Sequence, residues 1–153
     1  MEKRIVAIDP GPVQSGFLVW GNRVIEHGTL PNLDLRQRLK ENHFGGAGLC
    51  AIETFQAMGM TVGREVFDTC IWVGRFMEAS RMPVQLVYRT SVKLFLCGES
   101  RAKDKNIRQA LLDRIGPQGT KKAPGPLYGV SGHAWSALAL AVYAASIFRN
   151  TEP

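Results

Sequence analysis

The sequence predicts an α/β domain built on a mixed five-stranded sheet, and three observations carry that reading. Near the N-terminus three apolar runs follow one another with short turns between them, as in an antiparallel meander. Two later apolar runs are each preceded by a helix-like segment, the spacing that parallel strands require. The first and fourth runs also share a signature, an apolar strand that stops on an acid: Asp9 in "RIVAIDPG" and Glu53 in "LCAIETF".

Residues 4–8 form a nearly continuous apolar run, of the kind buried on both faces. Residues 15–20 follow as a second strand, Gly21-Asn22 reads as a two-residue hairpin, and 23–30 returns as a third. A short amphipathic helix is expected over 33–40, with Leu35 and Leu39 on one face, broken by "GGAG" at 45–48. The fourth strand then runs to Glu53. Residues 61–80 read as a long helix with Val66, Cys70, Val73 and Met77 as its apolar stripe. Pro83 ends the turn before a fifth strand at 84–88. A short helix ending at Gly98 follows, then a helix capped by Asp104 and stopped by Gly116-Pro117. Residues 117–126, rich in Pro, Gly and Lys, read as a flexible loop. Ser131 opens a last helix to about Phe148, with Ala134, Ala137, Leu138, Ala141 and Ala145 as a small-residue face. No internal repeat or second domain is visible, so residues 1–153 are read as one domain.

Bulk properties narrow the function classes. The chain of 153 residues is 45% hydrophobic and 21% charged, as in a soluble globular protein. Nineteen Lys and Arg against thirteen acids give a formal charge of +6. Such a balance suits an anionic partner, nucleic acid before membrane, or simply a solvated basic surface. Cys50, Cys70 and Cys97 are an odd set without C-x-x-C spacing, and read as free core thiols in a reducing compartment. An acid at position 2 argues against a signal peptide, and no apolar run reaches membrane-spanning length, so a cytoplasmic location is expected.

Asp9 and Glu53 are the chemical centre of the sequence. If strands one and four are adjacent and parallel, both carboxylates emerge at one sheet edge, where open α/β sheets bind ligands. Two acids so close repel each other unless a cation neutralises them, and carboxylate oxygens suit Mg²⁺ or Mn²⁺. Asp9 in "DPG" is equally a turn former.

"AIDPG" before a glycine-containing strand, "AIE" ending a later strand and "GHAWSALALAVYAA" near the C-terminus resemble the RuvC-type Holliday junction resolvases of the RNase H-like nuclease and integrase superfamily. "REVFDTCIWVGRF", "RAKDKNIRQALLDRIG" and "PGPLYGVSGHAW" bring the resemblance closest to bacteriophage-encoded members, over essentially the whole chain. The resemblance implies an RNase H-like fold and phosphodiester hydrolysis of branched DNA, four-way junctions and related forks, in recombination, repair or phage DNA processing. It implies Mg²⁺ or Mn²⁺, two ions per site, with Asp9 bridging both ions and Glu53 holding one. The family usually carries two acids three residues apart on its last helix; here His133 and Ser136 stand at those places. His133 is therefore a candidate ligand or base, Ser136 a weak or water-mediated ligand, and a third carboxylate is missing. Without the resemblance, His133 reads as a helix-start histidine bonded to backbone.

Lys93, Lys103 and Lys105 lie where the family keeps basic residues near the cleaved strand, and Lys121 and Lys122 on the loop are placed to reach DNA backbone. A solvated charge run is their alternative. Asp104 reads as a helix cap and as the nearest spare acid. Phe55 and Met58 could enter an open junction, or fold back on the core. The two-fold symmetry of a four-way junction favours a homodimer, with Phe67, Ile71 and Trp72 of the long helix as its contact. The competing function is a junction- or nucleic-acid-binding module with a degenerate catalytic site, which Ser136 suggests.

Overall fold

The computed structural model describes residues 3–151, and side chains up to residue 147. Its five strands are β1 (Arg4–Asp9), β2 (Gln14–Trp20), β3 (Val24–Pro31), β4 (Ala47–Thr54) and β5 (Val84–Tyr88). They lie in the order β3-β2-β1-β4-β5. The β1/β2 and β2/β3 pairs are antiparallel, while β1/β4 and β4/β5 are parallel. This is the expected meander with two parallel strands added. The helices are α1 (Asn32–Lys40), α2 (Arg64–Ala79), α3 (Arg89–Cys97), α4 (Asp104–Ile115) and α5 (Ala134–Thr151).

Period-two alternation sorts the sheet's side chains into two cores. Val6, Ile8, Phe17, Val19, Cys50 and Ile52 point to one face, where α1 and α2 cover them with Leu35, Leu39, Val73 and Phe76. Ile5, Ala7, Leu18, Leu49, Ala51 and Val87 point to the other, beneath α3, α4 and α5. Helix α5 is apolar nearly all round because it is enclosed by the sheet and by α3 and α4. Ala134, Ala137, Leu138 and Ala141 are buried as expected, and so are Ala139, Leu140, Val142 and Ala144.

Several local expectations change. The β2–β3 connection is a three-residue turn, Gly21, Asn22 and Arg23, with Asn22 in the left-handed region at φ 66°. Helix α2 buries Thr69, Val73 and Phe76, with Val66 half-buried, and exposes Cys70 and Met77. Its inward stripe thus keeps Val66 and Val73 but takes Thr69 and Phe76 in place of Cys70 and Met77. Thr69 can face inward because its hydroxyl donates to the Glu65 carbonyl at 2.7 Å. Cys70 is therefore not a core thiol, unlike Cys50, whose thiol burial pushes up to about 12.

Lys103, not Asp104, takes the cap position of α4, and the Asn106 side chain accepts a hydrogen bond from the Lys103 N–H. Residues 117–126 form a tight hairpin rather than a loose loop. Gly119 bridges Pro124, and the Thr120 N–H donates to the Ala123 carbonyl at 3.0 Å. Helix α5 begins at Ala134; residues 131–133 form a turn into it, and the His133 carbonyl accepts from the Ala137 N–H.

One glycine seats this helix on the sheet. A Cβ on Gly16 would lie 2.7 Å from both the Cβ and the carbonyl oxygen of His133. The bare backbone of β2 lets the start of α5 come down beside β1. We expect Gly16→Ala to push that start away and to cost roughly 1–3 kcal/mol, the usual range for overpacking, measurable as a lower urea midpoint.

Candidate active site

The site is built at the carboxyl end of the parallel strands. Ile8 pairs with Ile52 across β1 and β4, so Asp9 and Glu53 stand at the next level, side by side. Because Ile8 and Ile52 face α1 and α2, alternation turns both acids toward α5. Each carboxylate side chain keeps only 12% of its surface exposed. Gly16 pairs with Asp9 on its other flank, and its missing side chain leaves room for His133. The His133 Nδ1 lies 3.2 Å from Asp9 Oδ2.

The turn after Asp9 is held by a buried polar clamp. The Gly11 N–H donates to Ser15 Oγ at 3.1 Å, Ser15 Oγ donates to Asn32 Oδ1 at 2.6 Å, and Asn32 Nδ2 donates to the Gly11 carbonyl at 2.8 Å. Three groups that would be costly to bury unpaired satisfy one another. They tie the Asp9 turn to the start of α1.

Around the acids opens a cleft of about 550 Å³. Asp9, Glu53, His133 and Ser136 all line it, together with Glu65, Thr69, Arg89 and Asp104. Lys93 is close enough to favour the charge on Glu53. Lys103 and Lys105 are exposed and flank Asp104 at the start of α4. Lys121 and Lys122 are exposed on the 117–126 hairpin and do not line the cleft. Phe55 and Met58 are not folded onto the core; they are 51% and 63% exposed just beyond Glu53.

Arg89 is not singled out by the sequence reading, whereas Asp104 is expected both as a cap and as the nearest spare acid. Arg89 follows β5, so it is the third charged residue to end a parallel strand at this edge. That position was its signal. Its Nη1 lies 3.7 Å from Glu53 Oε1, and its Nη2 hydrogen-bonds Asp104. Asp104 thereby joins the cleft as an acid rather than as a cap.

Burial dominates the electrostatics of the acid pair. It raises the Asp9 carboxyl above its ordinary value, against hydrogen bonding and charge from His133 and the charge of Arg89. Glu53 is pushed up to about 7, by burial first and by the charge of Asp9 second, with Arg89 and Lys93 opposing. Two adjacent, largely buried carboxylates are donors for a hard divalent cation, and an ion between them would offset both shifts by favouring the charged forms. The residues present therefore fit such an ion, although among the described residues no three His, Cys, Asp or Glu side chains form a ready-made cage.

Comparison with known structures bears on the fold. RuvC of Thermus thermophilus superimposes with a TM-score of 0.71 at 20% identity, covering 97% of each chain. The same organism's RuvC in complex with Holliday junction substrate gives 0.68 at 20% identity, covering 97% of this chain and 96% of that one. No protein-family model matches the chain, and no curated protein does. The five-stranded mixed sheet flanked by helices is the RNase H-like fold of RuvC.

The raised Glu53 carboxyl sets a pH dependence with a definite sign. Between its unfolded value of 4.5 and its folded value of about 7, the folded state holds more protons than the unfolded state. Metal-free stability therefore falls as pH rises through that window. Thermal unfolding in chelator should show a lower Tm at pH 8 than at pH 5. Glu53→Gln should flatten the profile, by up to about 3 kcal/mol across the window.

Proposed function

We propose that this protein is a metal-dependent endonuclease that cuts branched DNA, Holliday junctions and related forks, by phosphodiester hydrolysis. The observation that carries this reading is the pair of buried carboxylates, Asp9 and Glu53, at one level of adjacent parallel strands in an open cleft. The RuvC likeness supports it, since one of those structures holds a Holliday junction substrate. The bacteriophage origin rests on the motif resemblance alone.

Asp9 and Glu53 would hold Mg²⁺ or Mn²⁺, with His133 as a third donor through an imidazole nitrogen and Ser136 at the cleft wall. When bound there, such ions would supply an activated water and charge stabilisation at the leaving oxygen. The Nδ1 contact sets His133 beside Asp9, and the same nitrogen would turn from Asp9 to an ion bound there. Lys93 and Arg89 bring positive charge against a phosphate in the cleft. Lys103, Lys105, Lys121 and Lys122 hold the flanking backbone by charge, without reading sequence. Together with the formal charge of +6 they favour a polyanion. No helix among the described residues is long and apolar enough to cross a membrane.

The working unit is a homodimer that presents two clefts to opposed strands. Phe67 and Ile71 on α2 are 62% and 61% exposed, and Cys70 and Met77 extend that apolar face. Trp72 beside them is half-buried, with the Arg75 guanidinium 4.0 Å above its ring.

The decisive experiment uses a labelled four-way junction with Mg²⁺ or Mn²⁺. Wild type should nick it in opposed strands. Asp9→Asn and Glu53→Gln should lower cleavage by about 10³-fold or more while leaving junction binding at least as tight, because binding rests on basic side chains. Binding without cleavage by the wild type would favour the non-catalytic module that Ser136 suggests.

Sedimentation should show a species of twice 16.9 kDa, and Phe67→Asp should convert it to a monomer without loss of helical signal. A wild-type monomer that still cuts both strands would overturn the dimer.

A further inference from the structure

Arg89 stands against the acid pair itself as well as on the cleft wall. Its guanidinium spans two acids, with Nη1 at 3.7 Å from Glu53 and Nη2 hydrogen-bonded to Asp104. Burial disfavours its charge, but Glu53, Asp104 and Asp9 together outweigh that and favour the charged form. A guanidinium stays protonated in any protein setting. The acid pair therefore already carries a fixed positive charge against it.

A divalent ion on Asp9 and Glu53 would meet that charge at close range. Arg89 cannot lose its proton to make way, so it must move. It has the freedom to do so: its side chain is 42% exposed, and it lines both the main cleft and a recess of about 100 Å³ bounded by Val92, Trp135 and Ser136. It also has a second anchor. Asp104 is 81% exposed, stands on a different element and is not part of the buried pair.

We propose that Arg89 is a displaceable counter-cation of the acid pair, holding Glu53 in place until a divalent ion takes over its charge, while Asp104 keeps the released guanidinium at the cleft. Arg89 is thus a positioning residue that sets how readily the site takes up its ion. The inference rests on the metal-dependent reading above and deepens it.

The probe is Mn²⁺ alone, titrated by calorimetry into wild type, Arg89→Gln and Arg89→Lys, with Tm measured in chelator and in Mn²⁺. Arg89→Gln should bind Mn²⁺ roughly tenfold more tightly, the size of effect that a neighbouring charge commonly has on a carboxylate. Its Tm in chelator should fall below that of wild type, and Mn²⁺ should restore it. Arg89→Lys, which keeps the charge, should bind Mn²⁺ close to wild type. An Arg89→Gln protein that folds only with Mn²⁺ supports the same account. If Arg89→Gln binds Mn²⁺ no more tightly than wild type, or stays unfolded with and without the ion, the inference fails and Arg89 is merely structural. If neither wild type nor Arg89→Gln binds Mn²⁺, the metal-dependent reading itself fails.

Discussion

Two carboxylates buried side by side are the constraint on which the rest of this site depends. Parallel pairing of β1 and β4 puts Asp9 and Glu53 at one level, and strand alternation turns both toward α5. Neither can ionise cheaply there, and each makes the other's charge less favourable. The surrounding polar groups respond to that cost. His133 approaches Asp9, Arg89 approaches Glu53, and Lys93 adds positive charge from α3. Even so, Glu53 remains pushed up to about 7. A carboxyl pair left so strained by its surroundings is a place prepared for a cation or a proton, and such perturbed groups gather at functional sites.

The framework that holds the pair is rigid on three sides. Strand β1 is the centre of the sheet, and Ile5, Val6, Ala7 and Ile8 are all almost wholly buried. The clamp of Gly11, Ser15 and Asn32 fixes the turn that follows Asp9. Gly16 lets the backbone at His133 approach β2 more closely than any side chain would allow. Each device trades stability or sequence freedom for position. That is the pattern expected where atoms must be placed to within a fraction of an ångström.

The outer surface divides its work differently. Basic side chains at the start of α4 and on the 117–126 hairpin are exposed and adaptable, suited to a backbone read by charge. Among the exposed apolar side chains are those of two neighbouring stretches, the segment after β4 and the outward face of α2. Both flank the cleft's entrance elements, since Phe55 and Val66 line the cleft while Phe67 and Ile71 face away from it.

By itself the sequence determined the order of strands and helices and the candidacy of Asp9 and Glu53; His133 entered through the resemblance, and the parallel pairing of the two acid-ending runs came from the structure. The features legible in the sequence are local or periodic: an apolar run, an acid at its end, a glycine in a strand. Where the reading missed, packing and side-chain contacts decided the answer. Asp104 reads as a cap and as a spare acid from its neighbours, and its contact with Arg89, fifteen residues earlier, decides for the acid in the cleft. Cys70 and Met77 read as core by counting apolar positions, but Thr69 and Phe76 take the inward places beside Val66 and Val73. The Pro- and Gly-rich stretch at 117–126 carries every mark of a loose loop, and only its cross-hairpin bonds tighten it. Tertiary structure alone decided which charges meet, because ion pairing follows distances across the sheet edge, and spacing along the chain does not encode those distances.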